Sequence, residues 1–163
     1  MSNTKKKALF IGSFDPITLA HRDILLKSCD IFDDVTIAIA QNPNKTSMFS
    51  LSDRLEMIRL AVQDLENIHI DSFEGLTVDY AKQNGINVLI RGLRNSSDFE
   101  YEQQMAHYNE TLLDTIKTVF FITSPEYSYI SSSGVREVLK NNGDISKYTP
   151  QPVKDYIETI SKS

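Results

Sequence analysis

Four groups of residues could do chemistry on an anion. Ser13 and His21 lie eight positions apart in Gly12-Ser13-Phe14-Asp15-Pro16-Ile17-Thr18-Leu19-Ala20-His21, where an apolar run breaks into a turn and a helical pattern follows. Lys45 sits in the polar stretch Gln41-Asn42-Pro43-Asn44-Lys45-Thr46-Ser47. Arg91 and Arg94 flank Gly92-Leu93, and Ser131-Ser132-Ser133 precede Gly134-Val135-Arg136. Guanidinium forks match phosphate oxygens bidentately, and a helix start offers unpaired N–H groups and a partial positive charge worth about 0.3–1 kcal/mol to a nearby anion. Each group also has a plainer reading. Strand–turn–helix is a common connection in α/β proteins, loop lysines are usually solvated, paired arginines can be structural ion-pair partners, and a serine run can be a helix cap.

These groups depend on the elements that would carry them. Short apolar runs at Ala8–Ile11, Val35–Ala40, Ile86–Ile90 and Thr118–Ile122 read as buried parallel strands, with a brief further strand at Ile68–Ile70 that places His69 on its surface. Helical patterns alternate with them. One begins near Thr18 or Leu19; one follows Ser50, where Asp53 and Glu56 supply cap chemistry; one runs through Val78 and Ala81 to Asn84-Gly85; and a long one follows Asn95. Two more follow the serines and Thr149-Pro150. Alternation of this kind implies right-handed βαβ units and a five-stranded, doubly wound, Rossmann-like parallel sheet with helices on both faces. The four groups then fall at four strand exits along the carboxyl edge, where open α/β sheets bind ligands, with Arg91-Gly92-Leu93-Arg94 as a turn whose glycine lets the backbone approach phosphate.

Composition narrows the field. The 163 residues are one domain's length, so 1–163 is expected to form a single domain with the helix at about 150–161 packed on it. Cys29 stands alone and falls among apolar helix positions, as a small core residue in a reducing compartment would. Lys5-Lys6-Lys7 precede an apolar run that Gly12 to Pro16 cut short, so the start is read as a solvated tail instead of a signal peptide, and the protein as cytoplasmic. No run approaches a membrane span, and a net charge of −5 argues against a nucleic-acid binder held by its overall field. Neither G-x-x-x-x-G-K-[ST] nor G-x-G-x-x-G is present, and there is no zinc-ligand cluster or Ser–His–Asp order. A cationic, donor-rich site without a nucleophile fits direct phosphoryl or nucleotidyl transfer, in which the protein positions two anionic partners and stabilises developing charge.

At this point the motifs resemble a known family. Gly12 through His21 is similar to the G-[ST]-F-D-P-x-[TH]-x-G-H signature of the nucleotidylyltransferase superfamily, and Ile130-Ser131-Ser132-Ser133 with Val135-Arg136 to its I-S-S-[ST]-x-[VI]-R signature. Ile90-Arg91-Gly92-Leu93-Arg94 followed by Asp98-Phe99-Glu100-Tyr101-Glu102 narrows the resemblance to the bacterial phosphopantetheine adenylyltransferases, over about Ala8 to Thr149.

The resemblance implies transfer of AMP from ATP to 4′-phosphopantetheine, giving dephospho-coenzyme A and pyrophosphate. By position, His21 would stabilise the transition state, Ser13 would touch the phosphates of both substrates, and Lys45 and Arg91 would hold the acceptor phosphate. Phe14, Gly92, Leu93, Arg94 and Glu102 fall on the ATP side, as do Tyr127, Ser128, Tyr129, Ile130, Ser131, Ser132 and Ser133, while Thr77 would line the pantetheine arm. Mg²⁺ would bridge ATP oxygens with few or no protein ligands, and the family's homohexamer would be expected. Ser13 stands for the more usual threonine and Ala20 for a glycine, whose replacement adds a methyl where helix and nucleotide approach. Other readings are an adenylyl- or cytidylyltransferase for another phosphate acceptor, which Arg91 to Glu102 oppose, and a non-catalytic nucleotide or coenzyme A sensor.

Overall fold

A computed structural model describes residues 5–162, so Met1 to Thr4 and Ser163 of the expected 1–163 domain lie outside the described residues. Strands and helices alternate: β1 (Lys7–Gly12), α1 (Leu19–Cys29), β2 (Asp34–Gln41), α2 (Leu51–Ala61), β3 (Ile68–Glu74), α3 (Thr77–Gln83), β4 (Val88–Leu93), α4 (Ser96–Leu112), β5 (Lys117–Ile122), α5 (Ser132–Lys140) and α6 (Gln151–Ser161). All four strand pairings are parallel, in the order β3-β2-β1-β4-β5. β1 is therefore central, and the crossovers diverge between β1 and β4, which opens a crevice at the carboxyl ends of those two strands.

Successive side chains of a strand alternate between faces, so each buried strand feeds two cores. Phe10, Val35, Ile37, Ile39 and Ile90 pack with Ile24 and Leu25 of α1, Met57 and Ile58 of α2, Val135 of α5 and Val153 and Ile157 of α6. Leu9, Ala38, Phe73 and Leu89 pack on the other face with Val78 and Ala81 of α3. α4 joins that second face beside β4 and β5, with Phe99 edge-on to Phe120.

Helix starts follow the caps that the sequence offers: Thr18, Ser50, Asn95 and Ser131 each accept an N–H from the residue three positions on. Asn84 ends α3, and Gly85 takes φ +63.

Two strands run further than expected. β3, expected over Ile68–Ile70, continues through Asp71, Ser72, Phe73 and Glu74; pairing with the eight-residue β2 as far as Gln41↔Glu74 overrides the low strand propensity of Asp71, Ser72 and Glu74. β4 likewise continues through Arg91, Gly92 and Leu93, which pair with Phe120, Phe121 and Ile122, so these residues belong to the strand and not to a turn beyond it. Gly92 also serves packing: a Cβ there would lie 2.9 Å from Ile24 Cγ1, so its absence lets α1 lie close on β4. The stretch after β5 holds a short 3-10 turn at Pro125–Tyr127. Cys29 is half-buried beside the first core, and His69 is exposed, 3.6 Å from Asp34.

Candidate active site

The first turn is built from its side chains inward. A Cβ on Gly12 would come within 3.1 Å of Phe14 Cζ, so the missing side chain makes room for that ring. Phe14 adopts φ +44, is buried, and meets the His21 ring edge-on at 5.0 Å. The Asp15–Pro16 peptide is cis. Thr18 then caps α1 reciprocally: its Oγ1 accepts from the His21 N–H at 3.3 Å, and its own N–H donates to His21 Nδ1 at 3.0 Å.

That second bond fixes the imidazole. A backbone N–H can only donate, so Nδ1 is the bare nitrogen and the neutral ring carries its proton on Nε2. Burial, followed by the Arg94 and Arg91 guanidiniums, lowers the His21 pKa from 6.5 to about 4. At neutral pH the side chain is an uncharged Nε2–H donor at the N-terminus of α1.

A cleft of about 350 Å³ opens here and brings together Ser13, Phe14, His21, Lys45, Arg91, Gly92, Arg94, Glu102, Ile130, Ser131, Ser132 and Ser133. The cations differ in how free they are. Arg91 is tied to Glu102 through Nε–Oε2 at 2.6 Å and Nη2–Oε1 at 2.5 Å, and Nη1 donates to the Ile11 carbonyl at 2.9 Å. Arg94 holds Asp98 through Nε at 3.1 Å and Nη2 at 3.3 Å. Both arginines are thus ion-pair partners as well as cleft residues. Lys45 is exposed and, among the described residues, forms no ion pair.

The serine hydroxyls are largely committed to structure. Ser131 Oγ accepts from the Gly134 N–H at 3.0 Å, Ser132 Oγ donates to the Pro16 carbonyl at 2.8 Å, and Ser133 Oγ accepts from Arg136 at 3.2 Å. The first-turn N–H groups of α5 are what remain for an anion.

The exit of β5 is clamped to α1. Asp23 accepts both the N–H and the hydroxyl of Ser124 at 2.8 Å, and Lys27 reaches the Ile122 carbonyl at 2.7 Å. Burial pushes the Asp23 carboxyl up, but the Ser124 N–H and the Lys27 ammonium outweigh it and leave its pKa below the usual value.

Other residues singled out in the sequence fall nearby. Thr77 lines a smaller recess of about 100 Å³ with Leu89, Tyr101, Met105, Asn109 and Thr118, which shares Ile11, Arg91 and Glu102 with the cleft. Tyr129 is exposed and lines a recess behind Ile130, whereas Leu93, Tyr127 and Ser128 are not part of the cleft wall. Ala20 contributes to the wall but is only 6% exposed, so little of its methyl faces the opening.

Three residues carry more than the sequence suggested. Arg136, noted there one turn into its helix, lines the cleft and donates to the Asp15 carbonyl at 2.7 Å. Arg54 is buried in α2 and donates to the Ser13 carbonyl at 2.9 Å. Asp15, read as turn punctuation, is buried with its carboxylate engaged. The place of Arg54 on the apolar face of its helix, three and four residues before Met57 and Ile58, was the available signal for it, and the signature context was the signal for Asp15.

Known proteins resemble this chain in sequence and in fold. The cytidylyltransferase-like family matches residues 9–138. A phosphopantetheine adenylyltransferase of Nostoc punctiforme is 52% identical over 143 residues, covering 88% of this chain and 78% of that protein. The phosphopantetheine adenylyltransferase of Alkaliphilus metalliredigens is 47% identical over 157 residues, covering 96% and 98%. A solved structure from Vibrio parahaemolyticus, assigned as a nicotinate-nucleotide adenylyltransferase, superposes with a TM-score of 0.72 over 95% of this chain and 93% of that one; at 20% identity it speaks to the fold alone. By its sequence, its parallel sheet and its cleft, the chain belongs to the phosphopantetheine adenylyltransferase family of cytidylyltransferase-like proteins.

Proposed function

We propose that the protein transfers the AMP group of ATP to 4′-phosphopantetheine, releasing pyrophosphate and forming dephospho-coenzyme A. The observation that carries this reading is the neutral Nε2–H of His21, held by Thr18 in a cleft with Lys45, Arg91, Arg94 and the start of α5. An acceptor phosphate oxygen attacks the α-phosphorus in line, the bond to the bridging oxygen of the β-phosphate breaks, and the electron pair leaves with pyrophosphate. No covalent enzyme intermediate forms. His21 donates to a non-bridging oxygen as negative charge builds on the five-coordinate phosphorus, and Thr18 keeps the ring aimed.

Lys45 and the two unused N–H groups of Arg91 hold the acceptor phosphate, and Ser13 touches both substrates. Gly92, Arg94, Glu102 and Ile130 to Ser133 serve the nucleotide from the cleft wall, while a role there for Leu93, Tyr127, Ser128 and Tyr129, which lie off that wall, follows from the family resemblance alone. The recess beside Thr77 takes the pantetheine arm, and the buried, unpartnered Thr118 hydroxyl there offers a handle for an amide.

Among the described residues no group of three or more His, Cys, Asp and Glu could hold a metal ion, and the cleft carboxylates of Asp98 and Glu102 are taken by arginines. That donor set fits Mg²⁺ carried on the nucleotide's own phosphates, where it would neutralise charge on the leaving group. A homohexamer is the expected assembly. Self-association is supported by the apolar surface that α4 and β5 leave exposed at Tyr101, Tyr108, Leu112 and Ile122, while the number six follows from the family resemblance. A cytoplasmic location accords with the lone cysteine, and no helix among the described residues is long and apolar enough to cross a membrane.

The test is release of pyrophosphate that requires ATP, Mg²⁺ and 4′-phosphopantetheine together, with dephospho-coenzyme A identified as product. No dephospho-coenzyme A from the complete mixture would overturn the reading.

A further inference from the structure

The loop between β2 and α2 carries Lys45 but has little to hold it. Asn44 N–H donates to Asn42 Oδ1 at 3.0 Å and Lys45 N–H to the Asn42 carbonyl at 3.1 Å, both inside the loop. Ser50 caps α2 at the far end. Among the described residues, every hydrogen bond from 42–49 to another part of the chain runs to one carboxylate: Met48 N–H donates to Asp15 Oδ2 at 2.8 Å and Phe49 N–H to Asp15 Oδ1 at 3.0 Å.

We propose that Asp15 is a positioning residue for the acceptor side of the site, its carboxylate pinning the β2–α2 loop so that Lys45 stands across the cleft from His21. The inference rests on reading Lys45 as an acceptor contact. Asp15 lies two residues from Ser13, in the turn that leads to His21. On its other side Arg136 donates to the Asp15 carbonyl at 2.7 Å, comes within 3.9 Å of its Oδ2, and donates to Ser133. The first turn, the lysine loop and the start of α5 thus meet at one residue that is 5% exposed.

The chemistry requires a carboxylate. Two consecutive amides need two acceptor atoms, and an aspartate supplies both, whereas an asparagine turns one of them into a donor that faces an N–H. Phe49 also packs against the core, which anchors the loop near α2. Lys45 lies four residues upstream of that anchor, so loss of the carboxylate frees the lysine while the sheet stays intact.

The experiment is a double-mutant cycle of Asp15→Asn and Lys45→Ala, with KM measured separately for 4′-phosphopantetheine and ATP, together with hydrogen exchange at the Met48 and Phe49 amides. Asp15→Asn should raise the acceptor KM about tenfold and leave the ATP KM within about twofold. In the Lys45→Ala background the same substitution should add less than about twofold, because the group it positions is gone. The two amides should exchange faster in Asp15→Asn. Equal rises in both KM values, or an undiminished effect without Lys45, would overturn the proposal.

Met48→Pro is a second variant that deletes one amide donor and leaves the carboxylate itself in place. It should shift the acceptor KM in the same direction, and an unchanged value counts against the proposal. If the unmodified protein makes no dephospho-coenzyme A, the functional reading fails by itself. The exchange arm still decides the role of Asp15, since unchanged protection at Met48 and Phe49 would refute its grip on the loop.

Discussion

Acidification should destabilise this protein through His21, with a sign set by the downward shift of that buried ring. The unfolded chain takes a proton on this imidazole below its ordinary pKa of 6.5, and the folded chain only below about 4. Between those values the unfolded state binds more protons, so stability falls as pH falls from 6.5 to 4 and the His21 contribution levels off below that. Each pKa unit is worth about 1.4 kcal/mol, so the full loss is roughly 3 kcal/mol, and the ring's partial contact with solvent trims it. His21→Gln is the matched control. Glutamine at the third helical position can accept the Thr18 N–H, as in a capping box, but does not titrate. Urea unfolding of both proteins at equal concentration between pH 7 and pH 4 should show the difference in stability moving toward the variant by about 2–3 kcal/mol. Proton NMR would follow the His21 ring directly, its signal identified by its loss in the variant. A stability difference that does not change with pH, or a His21 midpoint near 6.5, would refute the account of the buried neutral ring. For catalysis, kcat/KM should show no His21 limb near pH 6.5.

Gly92→Ala would place a Cβ 2.9 Å from Ile24 Cγ1, so thermal unfolding should report a loss of about 1–3 kcal/mol that Ile24→Ala in the same chain partly restores. Arg91→Ala strands the Glu102 carboxylate, whose side chain is 11% exposed, and should cost about 2–4 kcal/mol in urea; Glu102→Gln in that background should recover part of it. Lys45→Ala, at an exposed side chain without an ion pair, should change stability by less than about 0.5 kcal/mol while raising the acceptor KM in the pyrophosphate assay. Ala20→Gly should cost about 1 kcal/mol in helix propensity and leave the ATP KM within about threefold, since the Ala20 methyl barely reaches the cleft surface.

The order of strands and helices was legible because buried parallel strands show as apolar runs and helix starts as caps. Thr18, Ser50, Asn95 and Ser131 all behave as their residue types suggest. What escaped was decided by partners distant in sequence. Asp71 and Ser72 lie beyond the strand expected to end at Ile70 and join it because β2 offers a full-length neighbour. Arg91 and Gly92 read as a phosphate turn, yet β5 draws them into the sheet and α1 claims the space above Gly92. In the site, Ser13, His21, Lys45, Arg91 and the serines share one cleft as their strand exits required. The pairing of Arg91 with Glu102 depends on how α4 is rotated against the sheet, which spacing does not encode. Asp15 looked like punctuation because a carboxylate before proline usually is; its task appears only when a loop more than thirty residues away folds over it.

The strand order sets part of the proposed acceptor side apart along the sheet. On the proposed roles, Lys45 and Thr77 come from the exits of β2 and β3, whereas Ser13 after β1 and Arg91 of β4 stand where the acceptor side meets the nucleotide side. The outer part of the acceptor side, after β2 and β3, can therefore change with little effect on the nucleotide side. Altered residues after β2 and β3 would retune which phosphate monoester enters, while the nucleotide half and the His21 donor on the central turn stay fixed. The topology acts as a hinge for divergence: one reaction centre after the central strand, an acceptor side that can vary at β2 and β3, and the Arg91–Glu102 pair as the point where substitutions on the two sides must be matched.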